Sequence, residues 1–127
     1  MQDRPTAPEL LEAMAAKLFG EVRDWVPRER RFQVLVLANL CAVIARELRA
    51  GAAPSLADVS LFRSLAGTER PGPTVEDAEP AAREAAAELG AAIRRGELDD
   101  SLPEVLAGLR EHVRRKLEVA RPGYADD

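Results

Sequence analysis

An amide, a guanidinium and a carboxylate lie close together in a stretch that is otherwise almost wholly apolar: Asn39, Arg46 and Glu47 within residues 32–51, FQVLVLANLCAVIARELRAG. At about 100° per residue, Asn39 and Arg46 differ by only about 20° around a helix, so they can form one polar track. Their chemistry would be anion or carboxylate binding, with Arg46 as a bidentate fork and Asn39 as an adaptable donor and acceptor. The structural alternative is that Asn39 is buried and hydrogen-bonded, because an unsatisfied buried amide costs about 1–3 kcal/mol, while Arg46 and Glu47 mark where the helix leaves the core. This second reading is the expectation carried forward.

Other candidates are sparser. His112 is the single histidine and falls at the boundary of its helix's apolar stripe, where it reads as structural or solvated. One His and one Cys with only carboxylates for company make a poor zinc ligand set, so no metal or other cofactor is expected. Cys41 sits inside the apolar run and reads as a small hydrophobe in a reducing compartment. No nucleophile elbow or Gly-rich phosphate loop is present, and no catalytic residue is assigned. Tyr124, in the tail after Arg121-Pro122-Gly123, either folds back onto the protein or is offered to a partner.

These residues need helices to position them. Thr6-x-x-Glu9 has capping-box spacing, and Leu11, Met14, Leu18, Val22 and Trp25 continue as one face of a first helix until Pro27. A second, central apolar helix over about 28–50 ends at Gly51. A third opens at a Ser55-x-x-Asp58 cap, buries Leu56, Val59, Phe62, Leu65 and Ala66, and closes at Gly67. Residues 68–80 have the composition of a mobile loop. A fourth helix over about 81–95 turns Ala82, Ala85, Ala86, Leu89 and Ile93 inward. The fifth, capped by Ser101-x-x-Glu104, carries a stripe of Leu102, Leu106, Leu109, Val113, Leu117 and Ala120, followed by a short tail at 121–127. The expectation is an all-α, single-domain bundle of five helices over residues 1–127.

Composition narrows the function. The 18 Lys and Arg are interspersed with 22 Asp and Glu for a net charge of -4, which disfavours nucleic-acid binding. No apolar run approaches the roughly 20 residues of a membrane span. The opening MQDRPTAPE lacks the basic and apolar regions of a secretory signal, so the chain reads as cytoplasmic.

The opening MQDRPTAPELLEAM and the segment FQVLVLANLCAVIARELRAG, with IRRGELDD and RPGY beyond, resemble an uncharacterised family of small bacterial helical proteins. Such proteins are often encoded beside aminoglycoside-phosphotransferase-like kinases and acyl-CoA dehydrogenases. The resemblance falls on Asn39, Arg46 and Glu47, which it marks as typical positions, and it departs at residue 121, where the family usually has Asn-Pro-x-Tyr. The resemblance implies an accessory, non-catalytic interaction protein beside acyl-group catabolism, with the kinase or dehydrogenase as partner and Arg46, Glu47 and Tyr124 as docking nominees. The alternative is an anionic-ligand binder, or an enzyme, that uses Asn39 and Arg46. A homodimer formed through the fourth helix or part of the second is compatible with either.

Overall fold

The computed structural model describes residues 3–124, and among these every regular element is helical. Helix α1 is Ala7–Lys17, and it continues through a wider π turn, Leu18–Val22, into a last turn, Arg23–Trp25. A 3-10 turn, Arg28–Arg30, leads into α2, Arg31–Ala50. Helices α3, Ala53–Ala66, and α4, Ala78–Arg94, follow, and a 3-10 turn, Asp99–Ser101, precedes α5, Leu102–Ala120. Five principal helices in this order match the all-α expectation.

Several boundaries follow from local chemistry. Glu9 N donates to Thr6 Oγ1 at 3.5 Å and Thr6 N to Glu9 Oε2 at 2.7 Å, so both halves of the capping box form. Val26, before Pro27, is extended (φ -97°, ψ 155°), as proline's ring requires of its predecessor. Gly67 closes α3 in the left-handed region (φ 69°, ψ 26°), where its missing Cβ removes the steric penalty. Two expected caps do not form. Helix α3 begins at Ala53 with Pro54 in its first turn, which leaves Ser55 and Asp58 inside the helix and Asp58 free for a distant partner. Ser101 Oγ donates to the Leu98 carbonyl at 3.3 Å, closing the 3-10 turn on itself. Helix α4 starts three residues before the expected 81, because Thr74 Oγ1 and Asp77 close the turn ahead of it.

The chain forms two compact units: α1, α2 and the stretch Val119–Arg121 in one, and α3, α4 and α5 through Glu118 in the other. In the first, α1 and α2 make a helical hairpin in which α2 buries Val34, Ala38 and Ala45. These positions share one side of the helix, so α2 is buried on one face, where burial on most sides was expected. Trp25 was expected in the core and is 68 % exposed. The π turn adds the equivalent of one residue to the helix and rotates everything after it by roughly one residue's angle, carrying Trp25 off the stripe. Its ring instead receives Lys17 Nζ at 5.4 Å from the centroid.

In the second unit, Phe62 of α3 meets Ala85 and Leu89 of α4, with Leu61, Leu65, Ile93, Leu98 and Leu109 packed around them. Ala85 and Leu89 are buried and Ala82 and Ile93 half-buried, as the alanine pattern implies, while Ala86 faces solvent. A Cβ on Gly108 would lie 2.7 Å from Leu65 Cδ1 and 3.2 Å from Leu61 Cδ1, so this glycine permits the approach of α5 to α3. The packed side of α5 therefore runs through Val105, Gly108 and His112, while Leu102, Leu106 and Val113 of the expected inward stripe are exposed. Gly108→Val should lower stability by about 1–3 kcal/mol through overpacking. Gly90→Ala, at a helical position of α4 whose added methyl meets only Arg94 Nη1 at 3.4 Å, should raise it by roughly 0.5–1 kcal/mol. Urea unfolding of the two variants beside the parent chain checks both signs.

Candidate functional site

Helix α2 carries Asn39, Arg46 and Glu47 to three different surroundings. Asn39 is exposed, which corrects the expectation of a buried amide: it lies well around the helix from the Val34–Ala38–Ala45 side. Arg46 is half-buried, with Nε donating to the Val119 carbonyl at 2.5 Å and Nη2 to the Ala120 carbonyl at 3.4 Å. These are among the last carbonyls of α5, which no intrahelical N–H can reach, so Arg46 serves as a C-terminal cap, its charge favoured by the helix dipole. Its donors point at backbone rather than into an open anion fork. Glu47 is exposed and has no hydrogen-bond or ion-pair partner among the described residues. Seven residues of helix rise separate Asn39 from Arg46 by about 10 Å along the axis. Tyr124 is 51 % exposed in the other unit. Among the three nominated residues of the first unit, the structure shows no shared hydrogen-bond partner. The last residues of the expected tail, 125–127, lie outside the described chain.

The residues it does bring together were not nominated. Asp58 of α3 reaches α5, where its Oδ1 accepts from His112 Nδ1 at 2.8 Å and from Arg115 Nη2 at 2.7 Å. The side chains of Asp58, His112 and Arg115 are 16 %, 17 % and 23 % exposed, so water screens this cluster far less than it screens the surface pairs. A carboxylate can only accept, so Nδ1 carries the proton and Nε2 of a neutral ring becomes the free lone pair. The edge of Phe62 packs against the imidazole, with ring centroids 4.9 Å apart at 63°. Arg115 Nη1 also lies 3.5 Å from Glu111 Oε1, and its Nε is buried without a partner. The arrangement supplies an oriented imidazole, and among the described residues no serine, cysteine or threonine hydrogen-bonds to it. The one available sequence signal was the spacing of His112 and Arg115, three residues apart, which places both on one side of α5.

A concavity of about 830 Å³ lies between α3 and the segment after it, lined by Ser60, Arg63, Ser64, Thr68 and Arg70 among others. Arg63 Nη1 donates to the Pro71 carbonyl at 2.9 Å while its Nε is buried without a partner, and Arg70 pairs with Glu88 at 2.8 Å and Glu84 at 3.6 Å. Among the described residues no three His, Cys, Asp or Glu side chains cluster as a metal site, and no helix is long and apolar enough to cross a membrane.

These features define a small all-helical protein with a partly buried polar cluster and exposed apolar helix faces. Residues 25–124 match the family described as domain of unknown function (DUF6285), and the chain belongs to that family. Neither the curated proteins nor the solved structures contain a match to it.

Asp58→Ala should destabilise the protein by about 1.5–3 kcal/mol, the range for hydrogen bonds to charged groups, because it strands two cationic or polar donors against α3. Asn39→Leu should stay within about 0.5 kcal/mol of the parent chain, as exposed substitutions do. Thermal melts compare the two. On the outer side of α5, hydrogen bonding to the Arg114 guanidinium holds the Glu111 carboxyl below its ordinary value. A lowered folded-state value means that this stabilisation is present at neutral pH and lost as pH falls through that value. The stability difference between the parent and Glu111→Gln should accordingly shrink as pH falls from neutral into the acid range below the ordinary carboxylate titration.

Proposed function

We propose that this chain is a non-catalytic interaction protein that acts beside acyl-group catabolism, docking on a phosphotransferase-like kinase or an acyl-CoA dehydrogenase. The observation that carries the reading is the outer side of α5. Leu102, Leu106 and Val113 are 45 %, 47 % and 51 % exposed, and an apolar groove of about 370 Å³ runs along Leu106, Leu109, Val113 and Leu117 beside Arg110 and Arg114. An amphipathic helix normally turns such a stripe inward, and one that faces water at this length suits a partner's apolar helix or strand. Arg110 has no partner among the described residues, so it is available to an acidic group on the rim of that partner. The resemblance to proteins encoded beside these two enzyme types supplies the partner class.

The competing reading, an anionic-ligand site or enzyme at Asn39 and Arg46, has less support, since Arg46 directs its donors to the Val119 and Ala120 carbonyls. The test is complex formation between the purified chain and a phosphotransferase-like kinase and an acyl-CoA dehydrogenase from the same source, followed by calorimetry. Binding to one of them, weakened roughly tenfold or more by Leu106→Glu with helicity unchanged, is the expected result, as a charge placed in an apolar contact costs more than 1.4 kcal/mol. Turnover of acyl or hydroxyacyl thioesters by the isolated chain, with no complex formed, would overturn it.

A further inference from the structure

The α1–α2 hairpin has a second apolar side. The ion pair between Arg49 and Glu12, with Nε–Oε1 at 2.9 Å and Nη2–Oε2 at 2.6 Å, marks one side of the groove between the two helices. At about 100° per residue, Leu10 and Met14 lie about 160° around α1 from Glu12, and Leu37, Leu40, Ile44 and Leu48 lie about 100–180° around α2 from Arg49. These six side chains therefore share the opposite side of the hairpin. They are 50 %, 54 %, 52 %, 49 %, 44 % and 52 % exposed respectively, with Val36 at 42 % beside them.

Two properties of this face select its occupant. The open apolar surface is on the order of 600 Å², the size at which a patch marks an association site and most of the roughly 800 Å² that each partner gives to a stable dimer. Residues 32–45 contain no charged side chain, so four turns of α2 can meet an identical helix without like-charge repulsion. The charges that bracket the face are of opposite sign: Arg30 precedes it, contacting only Gln33 Oε1 at 3.3 Å, and Glu47 closes it with no partner among the described residues. Antiparallel pairing places Arg30 of one copy near Glu47 of the other at both ends, and it also opposes the two helix dipoles.

We infer that a second copy of this chain covers the face, with the α2 helices of the two copies packed antiparallel about Leu40 so that two hairpins complete a four-helix bundle. This goes beyond the docking reading for α5 and does not depend on it.

Sedimentation equilibrium of the full chain should give a dimer. Leu40→Glu should raise its dissociation constant by roughly a hundredfold or more while the helical circular dichroism persists, since a carboxylate would be desolvated at the symmetry axis. In a Cys41→Ser background, Leu40→Cys should oxidise to a covalent dimer. Gln33→Cys alone should not cross-link to itself, whereas a mixture of Gln33→Cys and Glu47→Cys should form the heterodimer. A parent chain that stays monomeric, or efficient self-cross-linking of Gln33→Cys without the mixed product, would overturn the inference. A monomer that still captures the kinase or dehydrogenase removes the dimer alone; a dimer that captures neither removes only the docking reading.

Discussion

Contact between small residues governs how this protein is assembled. Half of the buried apolar positions are alanines: Ala38 and Ala45 on α2, and Ala78, Ala85 and Ala92 on α4. Gly108 lets α5 approach the leucines of α3. Alanine and glycine bring helix axes close and gain dispersion contacts between backbones, but each buries little apolar area. A core made this way has few sites for large side chains. Phe62 and Leu89 take such sites in the second unit, and many of the remaining large apolar side chains lie at or near the surface.

That distribution bears on function because the exposed residues are ordered. On α2 they run at helical spacing along one side, and on α5 they form a groove beside arginines. Scattered exposed leucines are ordinary, whereas stripes of them on long helices leave a hydrophobic stabilisation unrealised until another surface arrives. The two stripes differ in their borders. The α5 groove has Arg110 beside it, without a partner among the described residues, whereas its Arg114 is paired with Glu111 and Glu118. The hairpin face is uncharged along its length and bracketed by opposite signs, which favours its own copy.

Helix number and punctuation were legible because caps and stops act locally: Thr6 with Glu9, Pro27 and Gly67 need only their neighbours in sequence. Facing was less legible. Trp25 continues the 3.6-residue pattern of α1, and no residue type announces the π turn at 18–22 that rotates it outward. For α5 the packed side is turned part-way from the apolar stripe, with His112 and Arg115 on it beside Leu109 and with Val113 in solvent. The hydrophobic period identifies the most apolar side of a helix, but close approach at Gly108 and a carboxylate at Asp58 decided which side was packed. Asn39 was misplaced for a related reason: an amide in an apolar run reads as buried only if the whole run is buried.

The polar cluster clarifies why α5 can pack this way. Two donors from one helix side converge on a single oxygen of Asp58, so the electrostatic gain is concentrated where exposure is lowest and screening weakest. Such a pair also specifies register, because sliding α5 by one residue along α3 would leave the aspartate facing neither His112 nor Arg115 and would drive a side chain into the space that Gly108 leaves open. Apolar packing alone would tolerate that shift, since Leu, Val and Ala recur along both helices. Fixing the register in turn fixes where the outer stripe of α5 points, so the partly buried Asp58 carboxylate sets the orientation of the surface on which the docking reading rests.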